Sequence, residues 1–189
     1  MVFARRTGPV SLATLMLLAI SADAHGGDKD DDSLDLDFRY RFENVDDAAF
    51  TNEARASTLR SRLTFETDDL FGFGFVAEID NVLELFGNDE FNAGGGNTPG
   101  RTQYPLVADV EGTELNQFYV DIDVVDDLLV RVGRQRIERN DQRLVGGDDW
   151  RQQEQTFDAA SALFDLAGFD LSIVYPVSYT HLRAHETVR

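Results

Sequence analysis

The chain contains no cysteine among its 189 residues, so disulfide frameworks and thiolate metal sites are excluded. Positive charge is also scarce. The 17 Lys and Arg residues stand against 35 Asp and Glu residues, a formal net charge of -18. Such a balance excludes a nucleic-acid partner for the chain as a whole, because phosphate contacts require basic surface. Outside residues 9–22, no apolar run is long enough to cross a bilayer as a helix.

The N-terminal segment has the three parts of a secretory signal. Arg5 and Arg6 precede the apolar run VSLATLMLLAI at residues 10–20, and the small-residue motif ADA follows at residues 22–24. This order of charged, apolar and cleavable parts predicts a signal peptide over residues 1–24, removed on export. An acidic segment, residues 25–32, would then begin the mature chain.

Residues 34–43 (LDLDFRYRFE) separate two kinds of side chain without exception. Every even position is apolar and every odd position is charged. Period-two alternation predicts a β-strand with unlike faces. The strand either covers a soluble core or forms part of a membrane barrel with a watery lumen, and this segment alone does not distinguish the two.

The same alternation recurs in six further segments, namely residues 58–67, 71–80, 116–124, 128–135, 157–163 and 169–175. The connecting segments alternate between long and short, at residues 46–53, 68–70, 83–113, 125–127, 138–154 and 166–168. Outer-membrane barrels have this asymmetry, with short periplasmic turns and long outer loops. We therefore predict an all-β fold, a transmembrane antiparallel β-barrel over residues 33–175. The Gly- and Asn-rich loop 83–113 is interpreted as a flexible surface loop, with a pore-narrowing loop as the alternative.

The C-terminal residues 176–189 break the strand pattern. From Val177 they read VSYTHLRAHETVR, which resembles the conceptual translation of a transposase sequencing adaptor. We interpret the segment as non-native, so that the natural protein continues differently beyond about residue 176.

Two longer stretches, residues 102–120 and 133–161, resemble the alginate-export family of outer-membrane porins. The similarity is strongest in GRQR, RLVGG, DWRQ and EQTFDAA. The resemblance implies a monomeric barrel of about eighteen strands with an arginine-rich lumen, in the outer membrane of a Gram-negative bacterium. The chain would then supply the first six or seven strands, and would not function alone because open sheet edges are not tolerated in lipid. The resemblance does not identify alginate as the substrate.

Arginines are concentrated on one side of the first two predicted strands. A hairpin closed by residues 46–53 would place Arg41 opposite Arg60 and Arg39 opposite Arg62. Further hairpins would place Glu78 opposite Arg60, and Asp121 opposite Arg131. Like charges directly opposite are unfavourable, so the cluster is either a site for an anion or part of a set of structural ion pairs. The residues predicted to line the lumen are Arg39, Arg41, Arg60, Arg62, Glu78, Tyr119, Asp121, Arg131 and Arg134.

The predicted function is that of a porin. Anionic solutes, including a uronate polysaccharide such as alginate, would pass by diffusion through an arginine-lined lumen, with membrane lipid as the other partner. No cofactor is implied, and the acidic residues 27–35 lack the spacing of a calcium loop. An enzyme is not favoured, because His25 is the one histidine outside the C-terminal segment. The alternatives are a barrel hydrolase with its catalytic residues elsewhere and a plugged structural or adhesive barrel.

Overall fold

The computed structural model describes residues 12–24, 32–67, 70–86, 90–94, 101–137, 151–166 and 169–179. These residues form one antiparallel sheet whose eight strands follow in chain order. The strands are β1 (Leu12–Ala24), β2 (Ser33–Asp46), β3 (Ala54–Glu66), β4 (Phe73–Glu84), β5 (Gly112–Val125), β6 (Leu128–Gln135), β7 (Phe157–Leu166) and β8 (Phe169–Tyr179). No helix in this part of the chain is long and apolar enough to span a bilayer.

The predicted all-β, antiparallel fold is confirmed. Each of the strands β2 to β8 overlaps one of the seven predicted segments, and β6 has the predicted bounds, whereas the ends of the other strands differ by up to four residues. In the described residues β1 pairs with β2 and β8 pairs with β7, so the sheet is open and its closure into a barrel stays a prediction. Strand β8 continues to Tyr179, beyond the predicted limit of the barrel segment.

Strand β1 occupies part of the segment predicted to be the signal peptide, and it pairs with β2 along its whole length. The signal peptide itself remains a prediction. Most of the predicted acidic segment, residues 25–31, lies outside the described residues. So do residues 180–189 of the C-terminal segment predicted to be non-native.

The two faces of the sheet have opposite character. One face, called here the apolar face, exposes large side chains at Leu34, Leu63, Ile79, Phe118, Val132, Leu171 and Ile173. The other, called the charged face, buries ionised groups such as Arg41 (1% exposed) and Asp80 (0% exposed), whereas Ile173 is 66% exposed. A protein folded for water alone has the reverse arrangement.

The register between β2 and β3 differs from the prediction by two residues. Arg39 lies opposite Arg60, Arg41 opposite Thr58, and Asp37 opposite Arg62. The predicted pairs Arg41–Arg60 and Arg39–Arg62 are therefore wrong, although all four arginines share one face as predicted. A shift of two residues leaves every side chain on its face, so alternation alone does not determine which residues are opposite.

The β3–β4 hairpin turns later than predicted. Leu70 and Phe73 exchange backbone hydrogen bonds across Phe71 and Gly72, which both have positive φ, at 60° and 83°. Two such residues form the type I′ turn that suits a β-hairpin. The prediction placed the turn at residues 68–70 and so paired Glu78 with Arg60. In the structure Glu78 lies opposite Thr64.

The long connection between β4 and β5 is packed against the charged face in the part that the structure describes. Phe91, Ala93 and Val107 form a buried apolar cluster with Ala54 and Ala56 of β3. Residues 90 and 92 also form isolated bridges to residues 55 and 106. The interpretation of residues 83–113 as a flexible surface loop therefore fails for residues 90–94 and 101–110, which lie over the ends of β2 and β3.

Candidate functional site

The charged face of β2 and β3 brings the four predicted arginines together. Arg39 and Arg41 alternate with apolar residues along β2, and Arg60 and Arg62 of β3 are separated by Ser61. Antiparallel pairing of the two strands places all four guanidinium groups on one side. The cross-strand pair Arg39–Arg60 is unfavourable unless other groups compensate its charge.

Arg41 is neutralised by a carboxylate from the β4–β5 connection. Its Nη1 atom donates to both oxygens of Asp109, at 2.8 and 2.7 Å, and its Nη2 atom contacts Glu43. Asp109 is fully buried and also accepts hydrogen bonds from the Thr58 hydroxyl and the Gln152 backbone N–H. This buried arginine is therefore held by the protein's own acidic groups.

Arg60 and Arg62 are compensated in the same way. Arg60 contacts Asp37 at 2.8 Å, and Arg62 donates through Nε and Nη2 to the two oxygens of Asp80, both at 2.7 Å. Glu154, from the β6–β7 connection, lies 3.3 Å from Arg60 and 3.0 Å from Arg62. Two-point contacts between guanidinium and carboxylate are the strongest geometry for such pairs.

Glu154 is the acidic group on which three arginines converge. Arg136, just beyond β6, approaches its second carboxylate oxygen at 2.5 Å. Burial raises the pKa of the Glu154 carboxyl, but the guanidinium groups of Arg62, Arg136 and Arg60 outweigh that effect and hold it below its ordinary value. Glu154 is therefore ionised at neutral pH and fixes residues 151–156 against the charged face.

Gln152 connects this segment to the backbone of the sheet. Its amide oxygen accepts a hydrogen bond from Arg39 Nε at 3.0 Å. Its amide nitrogen donates to the Arg39 carbonyl, the Thr58 carbonyl and the Thr58 hydroxyl, at 2.9 to 3.2 Å. The fully buried amide thus orients Arg39 and links β2 to β3 on the charged face.

Glu78 lies on the same face, next to Arg62 at 3.5 Å. It accepts hydrogen bonds from Thr64, from Asn116 and from Arg136 Nη2, at 3.0, 2.7 and 3.1 Å. Asn116 reaches it at the irregularity between β4 and β5, where the pairing register shifts. Glu78 therefore forms ion pairs with both Arg62 of β3 and Arg136.

The predicted pair of Asp121 and Arg131 is found in the structure. The two residues are cross-strand partners, and Arg131 Nε and Nη2 donate to the two carboxylate oxygens, both at 2.7 Å. The guanidinium group lies over the Tyr119 ring, 4.0 Å from its centre. Tyr119 is opposite Gly133, where an added Cβ would lie 2.3 Å from the Phe118 carbonyl oxygen.

Arg134 is placed on the opposite face from the other predicted site residues. It is the cross-strand partner of Phe118 and of Asp158, and it donates to both Asp158 oxygens at 2.8 and 3.1 Å. Gly133 takes the position on the charged face, so the next residue points to the apolar face. The structure therefore separates Arg134 from Arg131.

Sequence reasoning missed five residues that complete the arginine cluster. The carboxylates Asp80, Asp109 and Glu154 neutralise its arginines, Gln152 accepts a hydrogen bond from Arg39, and Arg136 adds a further cation beside Glu78 and Glu154. Asp80 was readable from the alternation of β4, since it shares a face with Glu78. The others lie in connecting segments, where no periodicity indicates the direction of a side chain. No cluster of three or more metal-ligating side chains occurs in the part of the chain that the structure describes.

An antiparallel sheet with an exposed apolar face and a buried charged face defines the class of membrane β-proteins, whose apolar side meets lipid. A family model for alginate export matches residues 31–189, and the chain belongs to the alginate export family. Its members are transport porins of the bacterial outer membrane, not enzymes, and alginate or another anionic polysaccharide is the indicated substrate. No curated protein and no solved structure gives a significant match to the chain.

Proposed function

We propose that the protein is an outer-membrane porin through which anionic solutes, including a uronate polysaccharide, diffuse along a lumen lined by the charged face. The observation on which this rests most directly is the opposite character of the two faces. Ionised groups are buried, whereas Phe118 and Ile173 are 47% and 66% exposed. This distribution is favourable when the apolar face contacts lipid and the charged face encloses water.

The arginines of the charged face are suited to a polymer that carries one carboxylate on each sugar. A guanidinium group offers five N–H donors in a planar arrangement that matches a carboxylate. Arg41, Arg60 and Arg62 already contact Asp109, Glu154 and Asp80. A passing polyanion would therefore exchange partners with internal carboxylates, which keeps binding reversible along the path.

The inward packing of two connections favours a second candidate, a barrel with a plugged lumen. Residues 101–110 and 151–156 supply the buried Asp109 and Gln152, and both lie over the arginines. A permanently filled lumen would conduct no ions. The plugged barrel and the porin therefore differ in a property that can be measured directly.

The test is the reversal potential of the full-length protein in a planar bilayer across a potassium chloride gradient. We expect selectivity for chloride, and we expect it to weaken in the double variant Arg39→Gln, Arg60→Gln, because two positive charges leave the lumen. Arg134→Gln removes the same kind of charge from the apolar face and is the matched control. Cation selectivity of the unaltered protein would refute the proposal, and a folded barrel without conductance would indicate the plugged scaffold.

A further inference from the structure

The two ends of β4 carry the same backbone irregularity. Phe71 lies two residues before the strand and Phe86 two residues after it, and both have positive φ, at 60° and 64°. They are the two non-glycine residues with positive φ in the part of the chain that the structure describes. A bulky side chain is strained in this conformation, and strain of this kind is concentrated at functional positions.

Both phenylalanine rings project away from the protein. Phe71 is 93% exposed and Phe86 is 82% exposed, the largest values among the large apolar side chains that the structure describes. Contact between an aromatic ring and water is unfavourable, and removing the ring from water is correspondingly favourable. Within the described residues, the chain itself covers neither ring.

The backbone that carries each ring is held to a neighbouring strand. In the β3–β4 turn, the Gly72 carbonyl accepts a hydrogen bond from the Asp123 N–H of β5 at 2.9 Å. Beyond the other end of β4, the Leu85 N–H donates to the Ser57 carbonyl of β3 at 2.8 Å. Each ring is therefore presented from a fixed position at one end of the sheet.

The rings extend the apolar face at both of its ends. Phe73 and Leu83 share that face with Ile79, because each lies an even number of residues away from it along β4. They are 52% and 42% exposed. Phe71 and Phe86 follow them outward along the chain, so the surface assigned to lipid is continuous with the two exposed rings.

The length of β4 matches the separation of two membrane interfaces. Its 12 residues extend over about 40 Å at about 3.3 Å per residue. At the tilt of about 40° that is usual for strands of membrane barrels, this length corresponds to a height of about 30 Å. The apolar band of such barrels is about 25 Å tall, so residues just beyond both ends of β4 lie at the level of the two headgroup layers.

We propose that Phe71 and Phe86 are lipid anchors, one inserted into each interfacial layer of the bilayer, where headgroups meet acyl chains. A soluble protein bound at one end of the sheet would account for one exposed ring, whereas a bilayer covers both ends of β4 at once. Contact with lipid removes the rings from water and so offsets the backbone strain. The anchors depend on the membrane location of the sheet and not on what the lumen conducts.

The first test measures the depth of each ring in phosphatidylcholine vesicles. Phe71→Trp and Phe86→Trp are made in the full-length protein, and the added fluorescence is the difference from the unaltered protein. We expect lipids brominated in the upper part of the acyl chains to quench about half of it or more, and aqueous acrylamide to quench little. Phe50→Trp, in the β2–β3 connection, is the matched control and should show the reverse order.

Quenching of Phe71→Trp or Phe86→Trp by acrylamide but not by brominated lipid would overturn the proposal. That result would place the ring in water, where a soluble protein could reach it.

Phe71→Asn distinguishes an anchoring ring from an idle one by the sign of its effect. Asparagine followed by glycine is favoured in a type I′ turn, so replacing an idle phenylalanine would raise the urea midpoint of unfolding in vesicles. We expect the midpoint to fall instead, because a lipid contact is lost, and we expect Phe71→Trp to keep the midpoint of the unaltered protein. A raised midpoint for Phe71→Asn would contradict the anchor. Chloride selectivity is a separate measurement, so the anchors and the porin function can fail independently.

Discussion

Arg39 lies directly opposite Arg60 across β2 and β3, and Asp37 of β2 compensates Arg60 at 2.8 Å. Gln152 orients Arg39 at 3.0 Å, and Glu154 lies 3.3 Å from Arg60. Both residues come from residues 151–156, which precede β7. The cross-strand repulsion is therefore relieved partly by Asp37 of β2 and partly by a segment that the alternation of the strands does not specify.

Glu154→Gln should destabilise the protein at neutral pH, because Arg60, Arg62 and Arg136 lose a shared carboxylate. Buried charge pairs that lose one partner cost about 3 to 5 kcal/mol. The lowered pKa of Glu154 means that its contribution is complete above the ordinary glutamate pKa and is lost as the pH falls through the lower, folded-state value. Urea unfolding of both proteins across acidic pH should show the difference shrinking toward zero, and a difference that stays constant with pH would contradict this role.

Gly133→Ala should destabilise the β5–β6 pair by more than about 1 kcal/mol. Gly133 has φ of +135°, and a Cβ there would lie 2.7 Å from the Tyr119 Cα atom. Gly74, whose Cβ would lie at an ordinary 3.6 Å from Asp121, is the matched control for the same substitution. Unfolding in urea measures both variants, and equal stability of Gly133→Ala and Gly74→Ala would disprove the steric argument.

Asp121 and Arg131 should show a coupling free energy of about 1 kcal/mol in a double-mutant cycle with Asn and Gln. The two-point contact favours a measurable value, while partial exposure of both side chains limits it. Arg131→Lys should recover less than half of the coupling, because an ammonium group cannot reproduce the two parallel hydrogen bonds. Full recovery by lysine would mean that net charge alone stabilises the pair.

Val132→Lys should destabilise the protein in lipid vesicles by about 2 to 4 kcal/mol, the cost of a lysine on the lipid-facing side of a barrel. Val132 is 48% exposed on the apolar face. Leu163→Lys makes the same kind of change on the charged face, where Leu163 and Arg131 line one cavity, and should cost less. A neutral effect of Val132→Lys in vesicles would indicate that water, not lipid, covers the apolar face.

The sequence predicts the strands and the face of most side chains, because both follow from period-two alternation. It predicts the Asp121–Arg131 pair because only two residues, Asp126 and Asp127, separate β5 from β6 and restrict the register. The register of β2 and β3 escapes prediction, since a shift by two residues preserves both faces. The misplacement of Arg134 has a local reason: positions 131 and 134 differ by three, an odd number, so the two arginines cannot share a face of a regular strand.

The loop carboxylates Asp109 and Glu154 could not be placed from sequence, because irregular segments have no repeating geometry. In the structure residues 101–110 and 151–156 lie over β2 and β3, and this placement brings Asp109 to Arg41 and Glu154 to Arg60. Because buried charges are normally paired, a buried arginine cluster predicts that acidic groups lie nearby. This rule predicts that the partners are carboxylates, but it does not predict which residues supply them.

The strict alternation of the two faces also limits how this gene can change in length. Deleting one codon within β5 would move every following residue of the strand to the opposite face. Asp121 would then lie on the apolar face, which Phe118 and Ile122 occupy in the unaltered protein. Insertions and deletions are therefore tolerated chiefly in the long connections, residues 85–111 and 136–156. Related proteins can therefore differ in the length of these connections, and so in the residues that cover the arginines, whereas their strands change by substitution alone.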